Sequence, residues 1–175
     1  MNEVLQAIKT RRSIRKFKPY MPKREDIDTI IQAGLYAATG KGSQSPIIIA
    51  VLNPELRNEI SHDNCKIGGW QEGFDPFYGA PVILIVLADK EKPTHVYDGS
   101  LALGNMMLAA HSLGLGSIWI HRAREEFETE PYKKLLADLG VKGDYEGIGH
   151  CAIGYIDGEA PAPAPRREGR VFYAE

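Results

Sequence analysis

Apolar positions along the chain recur in blocks, some at helical and some at strand spacing. Val4, Leu5 and Ile8 predict a first helix that ends near the basic run Arg11-Arg12-Ser13-Ile14-Arg15-Lys16-Phe17. Pro22 opens a second, whose stripe is Ile27, Ile30, Ile31, Leu35 and Ala38 and which stops at Thr39-Gly40-Lys41-Gly42-Ser43. The β-branched run from Ile47 to Leu52 predicts a strand buried on both faces, and Asn53-Pro54 ends it before a short helix. From Asp63 to Gly79 the periodicity dissolves around Trp70, Phe74, Phe77 and Tyr78, which predicts a long loop of the kind that more often serves function than filler. Val82 to Leu87 reads as a second strand. Asp98 is the expected N-cap of a helix from Gly99 to about Leu113, apolar almost all round and therefore central. Ser117 to His121 predicts a third strand, Pro131 opens a helix carrying Tyr132, Leu135, Leu136 and Leu139, and Ile148 to Ile156 is the last core strand.

Helices open the chain and flank a small sheet, an α+β arrangement in one domain over residues 1–157. A Rossmann fold is excluded, because Gly114-Leu115-Gly116 leaves a helix and enters a strand rather than the reverse. Residues 158–175 differ in kind. The alternating prolines from Ala160 to Pro165 favour extended polyproline geometry, so this segment reads as an arm that reaches toward Arg166, Arg167 and a short edge strand at Val171-Phe172-Tyr173.

At 175 residues and 43% hydrophobic content the chain is long enough for one core. The 21 basic and 23 acidic side chains leave a net charge of -2, which argues against a general nucleic-acid binder. The longest apolar runs are strand-sized, so no membrane span is expected. Cys65 and Cys151 lack any zinc or dithiol spacing, and a reduced cytoplasmic protein is the expectation. The histidines at 62, 95, 111, 121 and 150 lack ligand spacing too, and no metal is expected.

The basic run has two readings: a solvated face, which is favoured if the run stands alone, or a phosphate clamp in which guanidinium forks meet anionic oxygens. A second arginine pair on the tail invites one shared anion. The run also resembles the opening signature of the nitroreductase family, and further matches follow in family order. These are the Ala-Ala-Thr-Gly helix end before Gln44-Ser45-Pro46, Tyr78-Gly79-Ala80-Pro81 before a strand, and the stretch Gly104 to Ile120 with its core helix and following strand.

The resemblance implies a nitroreductase-like fold, with a small mainly antiparallel sheet and a C-terminal tail exchanged in a homodimer. It implies non-covalent FMN, with NADH or NADPH as reductant and a small electron-poor acceptor such as a nitroaromatic or quinone, reacting by a ping-pong mechanism. Arg11, Arg12, Ser13 and Arg15 would contact the FMN phosphate and ribityl chain, joined by Arg167 or Arg166 from the tail. Ser43, Gln44, Ser45 and Pro46 would line the isoalloxazine, and Gly116 and Ser117 would offer backbone donors. Gly42, Ser43 and Ile47 stand where many members carry Asn and an aromatic. Because the flavin carries the chemistry, no acid-base pair is required, and none is found. Trp70 and Phe74 are candidates to stack on substrate or to form the loop's own small core. Asn105 is a helix-packing group or a neighbour of the flavin. The same scaffold could instead serve an enone or flavin reductase, a dehalogenase, or a flavin-binding protein without turnover.

Overall fold

The computed structural model describes residues 2–175. Four antiparallel strands, β1 (Pro46–Val51), β2 (Val82–Asp89), β3 (Gly116–Ile120) and β4 (Tyr145–Gly154), form one sheet in the order β1-β2-β4-β3. The helices are α1 (Glu3–Thr10), α2 (Arg24–Leu35), α3 (Pro54–Gly68), α4 (His95–Ser112), α5 (Ala123–Phe127) and α6 (Glu130–Asp138).

An antiparallel sheet commonly leaves one face to water. This one does not, and β2 shows why: every residue from Val82 to Ala88 is fully buried. Strand alternation sends Ile83, Ile85 and Leu87 to a core with Ile60 of α3, Phe77, Phe127 and Tyr132, and sends Val82, Leu84, Val86 and Ala88 to a second core with α2 and α4. Each large aliphatic buried in this way contributes about 1.5–3 kcal/mol. Helix α4 lies across the second face with α2 beside it, and a Cβ on Gly34 would meet Met106 at 2.7 Å, which is why the two axes approach so closely there. Asn105 donates to Ala33 O at 3.1 Å and so ties α4 to α2, which resolves its role as helix packing.

Several expectations need correction. Strand β1 is an edge strand, and Ile47, Ile48 and Ile49 are only half-buried. Its apolar run looks like that of a central strand because the strand pairs on one side only and is covered incompletely. The helix after it is not short: α3 has 15 residues, capped by the Asn53 side chain and closed by Gly69 at φ 68, so the expected loop begins six residues late. Asp98 does not cap α4. The helix starts a turn earlier, at His95, and Asp98 is buried in its first turn. Leu101 is 51% exposed and Tyr97 71%, so α4 is buried on one face rather than all round. Leu35 and Ala38 are exposed as well, Gly34 taking the inner position on α2. Residues 158–175 form no helix or strand and are exposed throughout, including Val171, Phe172 and Tyr173, which pair with nothing in the single chain. Among the described residues, no helix is long and apolar enough to cross a membrane, and no cluster suited to a metal ion occurs.

Candidate functional site

The basic run leaves α1 and is laid along the outer edge of β3. Ser13 bridges Ser117 in parallel, Ile14 N–H donates to Ser117 O at 3.0 Å, and Phe17 bridges Ile156. Ile14 and Phe17 enter the core, which turns Arg15 and Lys16 outward, and Lys16 pairs with Asp157 at 2.8 Å. Arg11 and Arg12 are half-buried instead. Arg12 Nη1 donates to the carbonyls of Lys9 and Arg11 at 2.9 and 2.6 Å. Arg11 Nη1 and Arg12 Nε, however, are buried without a partner among the described residues. Buried donors are nearly always satisfied, so two cationic ones left open at one place mark a seat for an anion.

The C-terminal turn of α4 closes this seat. His111 Nε2 lies 2.8 Å from Thr10 Oγ1, and burial, together with the charges of Arg11 and Arg12, holds the imidazole below its ordinary 6.5. Cys151, behind it, is a fully buried thiol whose pKa is pushed up to about 12 by that burial, with Arg11 opposing the shift.

Further along the same strand, α4 and the turn after β3 enclose a cavity of about 350 Å³ lined by Val96, Ser100, Trp119, His121, Arg122 and Glu146, among others. At about 3.3 Å per residue its far end lies roughly 15 Å from Ser117. Two more partnerless donors occur here, Trp119 Nε1 and Arg122 Nε. Arg122 is left-handed at φ 85, a conformation that costs a side chain of this size free energy and that clusters at functional sites. The sequence reading missed this region. A positive φ at arginine leaves no mark in the sequence, and the only hint was a tryptophan inside an aliphatic strand.

The loop from Ser43 to Pro46 is built around Asp98. The Asp98 carboxylate accepts from Ser45 Oγ at 2.7 Å, Gly40 N–H at 3.0 Å and Thr94 Oγ1 at 3.1 Å. Burial works to raise its pKa, but these hydrogen bonds outweigh burial and hold it below 3.8. Ser45 is thereby committed inward, while Gln44 stands exposed at φ 50. Asp98 sits in the first turn of α4 and His111 in its last, so helical rise separates this loop from the arginine seat by about 20 Å.

Trp70 and Phe74 lie elsewhere, on the α3 face of the sheet. Their rings are 5.6 Å apart and, with Arg57, Ser61, Cys65 and Asp75, they line a cavity of about 580 Å³. Asp75 pins this loop, pairing with Arg57 at 2.5 Å and accepting from Ser61 Oγ and the Gly79 amide at 2.7 Å each. Cys65 is on α3 rather than in the loop expected from Asp63 to Gly79, buried, its thiol donating to Gln71 O. Arg166 and Arg167 are exposed on the tail, and among the described residues Arg166 bonds only the nearby Ala164 carbonyl. Within one chain, then, Arg11, Arg12, Ser13, Gly116 and Ser117 come together, with Arg15 alongside. The 43–46 loop, Trp70 with Phe74, and the tail arginines do not join them.

The sequence profile of the Nitroreductase family matches residues 8–155. The chain belongs to that family. A Methanothermobacter thermautotrophicus protein provisionally named NADH dehydrogenase/NAD(P)H nitroreductase is 37% identical over 139 residues, covering 77% of this chain and 69% of its own length. An FMN reductase (NADPH) of Bacillus subtilis is 29% identical over 147 residues, and the chain spans 57% of its length. Among solved structures, a nitroreductase with bound FMN from Bacteroides fragilis superposes with a TM-score of 0.91 at 28% identity over 100% of both chains. That structure therefore shares the architecture along the whole chain.

If the arginine seat takes an anion, inorganic phosphate will raise the His111 midpoint, because it offsets the two charges that lower it. In an NMR titration of the histidine rings, His111 should titrate below 6.5 and move upward with phosphate. Its neutral form is the one the fold favours, so the stability it lends is full above 6.5 and lost as pH falls through the lowered value. A midpoint that ignores tens of millimolar phosphate would argue for a merely solvated arginine pair.

Proposed function

We propose that this chain is an FMN-dependent oxidoreductase that passes reducing equivalents from NADH or NADPH to a small electron-poor acceptor. The observation that carries the reading is the pair of buried, partnerless donors Arg11 Nη1 and Arg12 Nε beside Ser13, which fits a phosphate monoester. The second set, Trp119 and Arg122 on the 350 Å³ cavity, lies at a distance along β3 that suits the ring end of the same ligand. FMN, when bound, supplies the hydride chemistry. The chain's part is to bind and aim. Arg11 and Arg12 neutralise the phosphate, Ser13 adds a hydroxyl, and the turn at His121 and Arg122 offers backbone donors beside the cavity.

The support from relatives is their names: FMN reductase and NAD(P)H nitroreductase recur among them, and solved relatives hold FMN. Arg11→Ala will weaken FMN binding by roughly tenfold to a hundredfold, since a hydrogen bond between charged groups contributes about 1.5–3 kcal/mol. Arg15→Ala will weaken it less, because Arg15 points outward in the single chain. Flavin fluorescence titration of the apoprotein measures both, and an unchanged affinity in Arg11→Ala would remove the clamp.

A chain of 175 residues leaves little room for two substrate pockets, so nicotinamide and acceptor alternate above the flavin. Double-reciprocal plots with both substrates varied will be parallel, as ping-pong exchange requires; intersecting lines would demand a second site.

The remaining residues of the expected site belong, on this reading, to a homodimer. On this reading the 43–46 loop, about 20 Å from the seat in its own chain, meets the flavin of a twofold-related copy. Apolar side chains await such a partner: Val4, Leu5 and Ile8 on α1, and Tyr97 and Leu101 on α4, are all exposed. The tail can cross between copies, since an extended segment covers about 3 Å per residue and thus roughly 55 Å over residues 158–175. Its Val171-Phe172-Tyr173 suits an unpaired sheet edge. The edge of β3 is already occupied by Ser13, which leaves β1 of the partner, with Arg167 brought toward a phosphate. Removing residues 158–175 will dissociate the dimer and release flavin together. A truncated protein that sediments as an unchanged dimer with full flavin content would leave the tail without this role.

A further inference from the structure

The core beneath the ring cavity holds a polar cluster that none of the above uses. Asn64 of α3, Glu126 of α5 and His150 of β4 are each fully buried. Asn64 Nδ2 donates to Glu126 Oε1 at 2.7 Å and to His121 O at 2.8 Å. His150 Nε2 meets Glu126 Oε2 at 2.7 Å, and His150 Nδ1 donates to Ile120 O at 3.2 Å, the carbonyl being able only to accept. The Glu126 amide donates to Arg122 O at 3.0 Å. Two successive carbonyls at the end of β3, those of Ile120 and His121, are therefore held by the side chains of this network, and the first turn of α5 holds that of Arg122. It packs under Phe77, whose ring meets His150 edge-on at 5.3 Å.

A trans peptide is planar, and its C=O and the following N–H point in opposite directions. Anchoring the carbonyls of Ile120 and His121 toward the network consequently turns the N–H groups of His121 and Arg122 away from it. Both residues line the 350 Å³ cavity. The same anchoring holds Arg122 at φ 85, which its side chain does not favour. Freedom for this turn to relax is small, because α5 presses on β4: a Cβ on Gly147 would collide with the Ala123 carbonyl.

We propose that Asn64, Glu126 and His150 are positioning residues, which aim the amides of His121 and Arg122 at the flavin ring and so set how strongly the protein favours its reduced state. The inference rests on the proposed flavin site. Donors fixed toward a ring that gains negative charge stabilise the charged form without reorganising. A buried polar network with no catalytic contact has a use here as the fixed frame behind those donors.

The test uses the flavin-loaded protein and compares Asn64→Leu, which keeps the size and removes both donors, with Ile60→Val, a packing change on the same helix. Both will lose thermal stability. Only Asn64→Leu will favour the oxidised flavin, changing the ratio of oxidised to reduced affinity about tenfold, a fall of about 30 mV in the two-electron midpoint, and will shift the flavin's visible absorption. A midpoint and spectrum equal to wild type in Asn64→Leu overturn the proposal. Should that variant not fold, Asn64→Ser, which cannot bridge both oxygens, is read the same way. Wild-type protein that binds no FMN would instead defeat the flavin reading itself, so the two failures are distinguishable.

Discussion

A strand with no exposed residue must be paired along both edges and covered on both faces, and Val82 to Ala88 places that demand on everything around it. Strands β1 and β4 supply the pairing. The helices divide between the two faces: α3, α5 and α6 on one, α2 and α4 on the other. Once the sheet is sealed on both faces, a ligand is left with its rim, and there the open donors are found. The edge of β3 carries the arginine seat at one end and the 350 Å³ cavity at the other.

Much of this was legible in the residues, and the parts that were not have a common cause. The central character of Val82 to Leu87, the helical spacing in α1, α2 and α6, and the gathering of Arg11, Arg12 and Ser13 with Gly116 and Ser117 follow from local pattern plus family resemblance. The burial of β1 was misjudged because Ile47, Ile48 and Ile49 read identically whether one or both edges are paired; pairing is a property of the sheet and not of the run. Asp98 was read as a cap because aspartate before an apolar helix usually is one. Its real partners, Ser45 and the Gly40 amide, are more than fifty residues away in the chain. Asn64, Glu126 and His150 were invisible for the same reason: three separated polar residues form a unit only when α3, α5 and β4 meet.

Trp70 and Phe74 illustrate a different limit. Their aromatic character left a substrate contact and the loop's own small core equally open, and nothing local could say which face of the sheet they lie on; they line a cavity on the face away from α4. The rigid Asp75 clasp also makes this loop a fixed wall rather than a flap: its carboxylate is tied by Arg57, Ser61 and the amides of Phe77 and Gly79.

The length of α4 has a consequence for mass action. In the proposed homodimer, where the arginine seat of one copy and the 43–46 loop of the other meet one flavin, cofactor binding is linked to association. Linkage of this kind is reciprocal: each equivalent of cofactor tightens the pairing of subunits by as much as pairing tightens the cofactor. Dilution of the protein would then lower apparent cofactor affinity with no change in any contact, and saturating cofactor would hold the pair together at concentrations where the bare chains part.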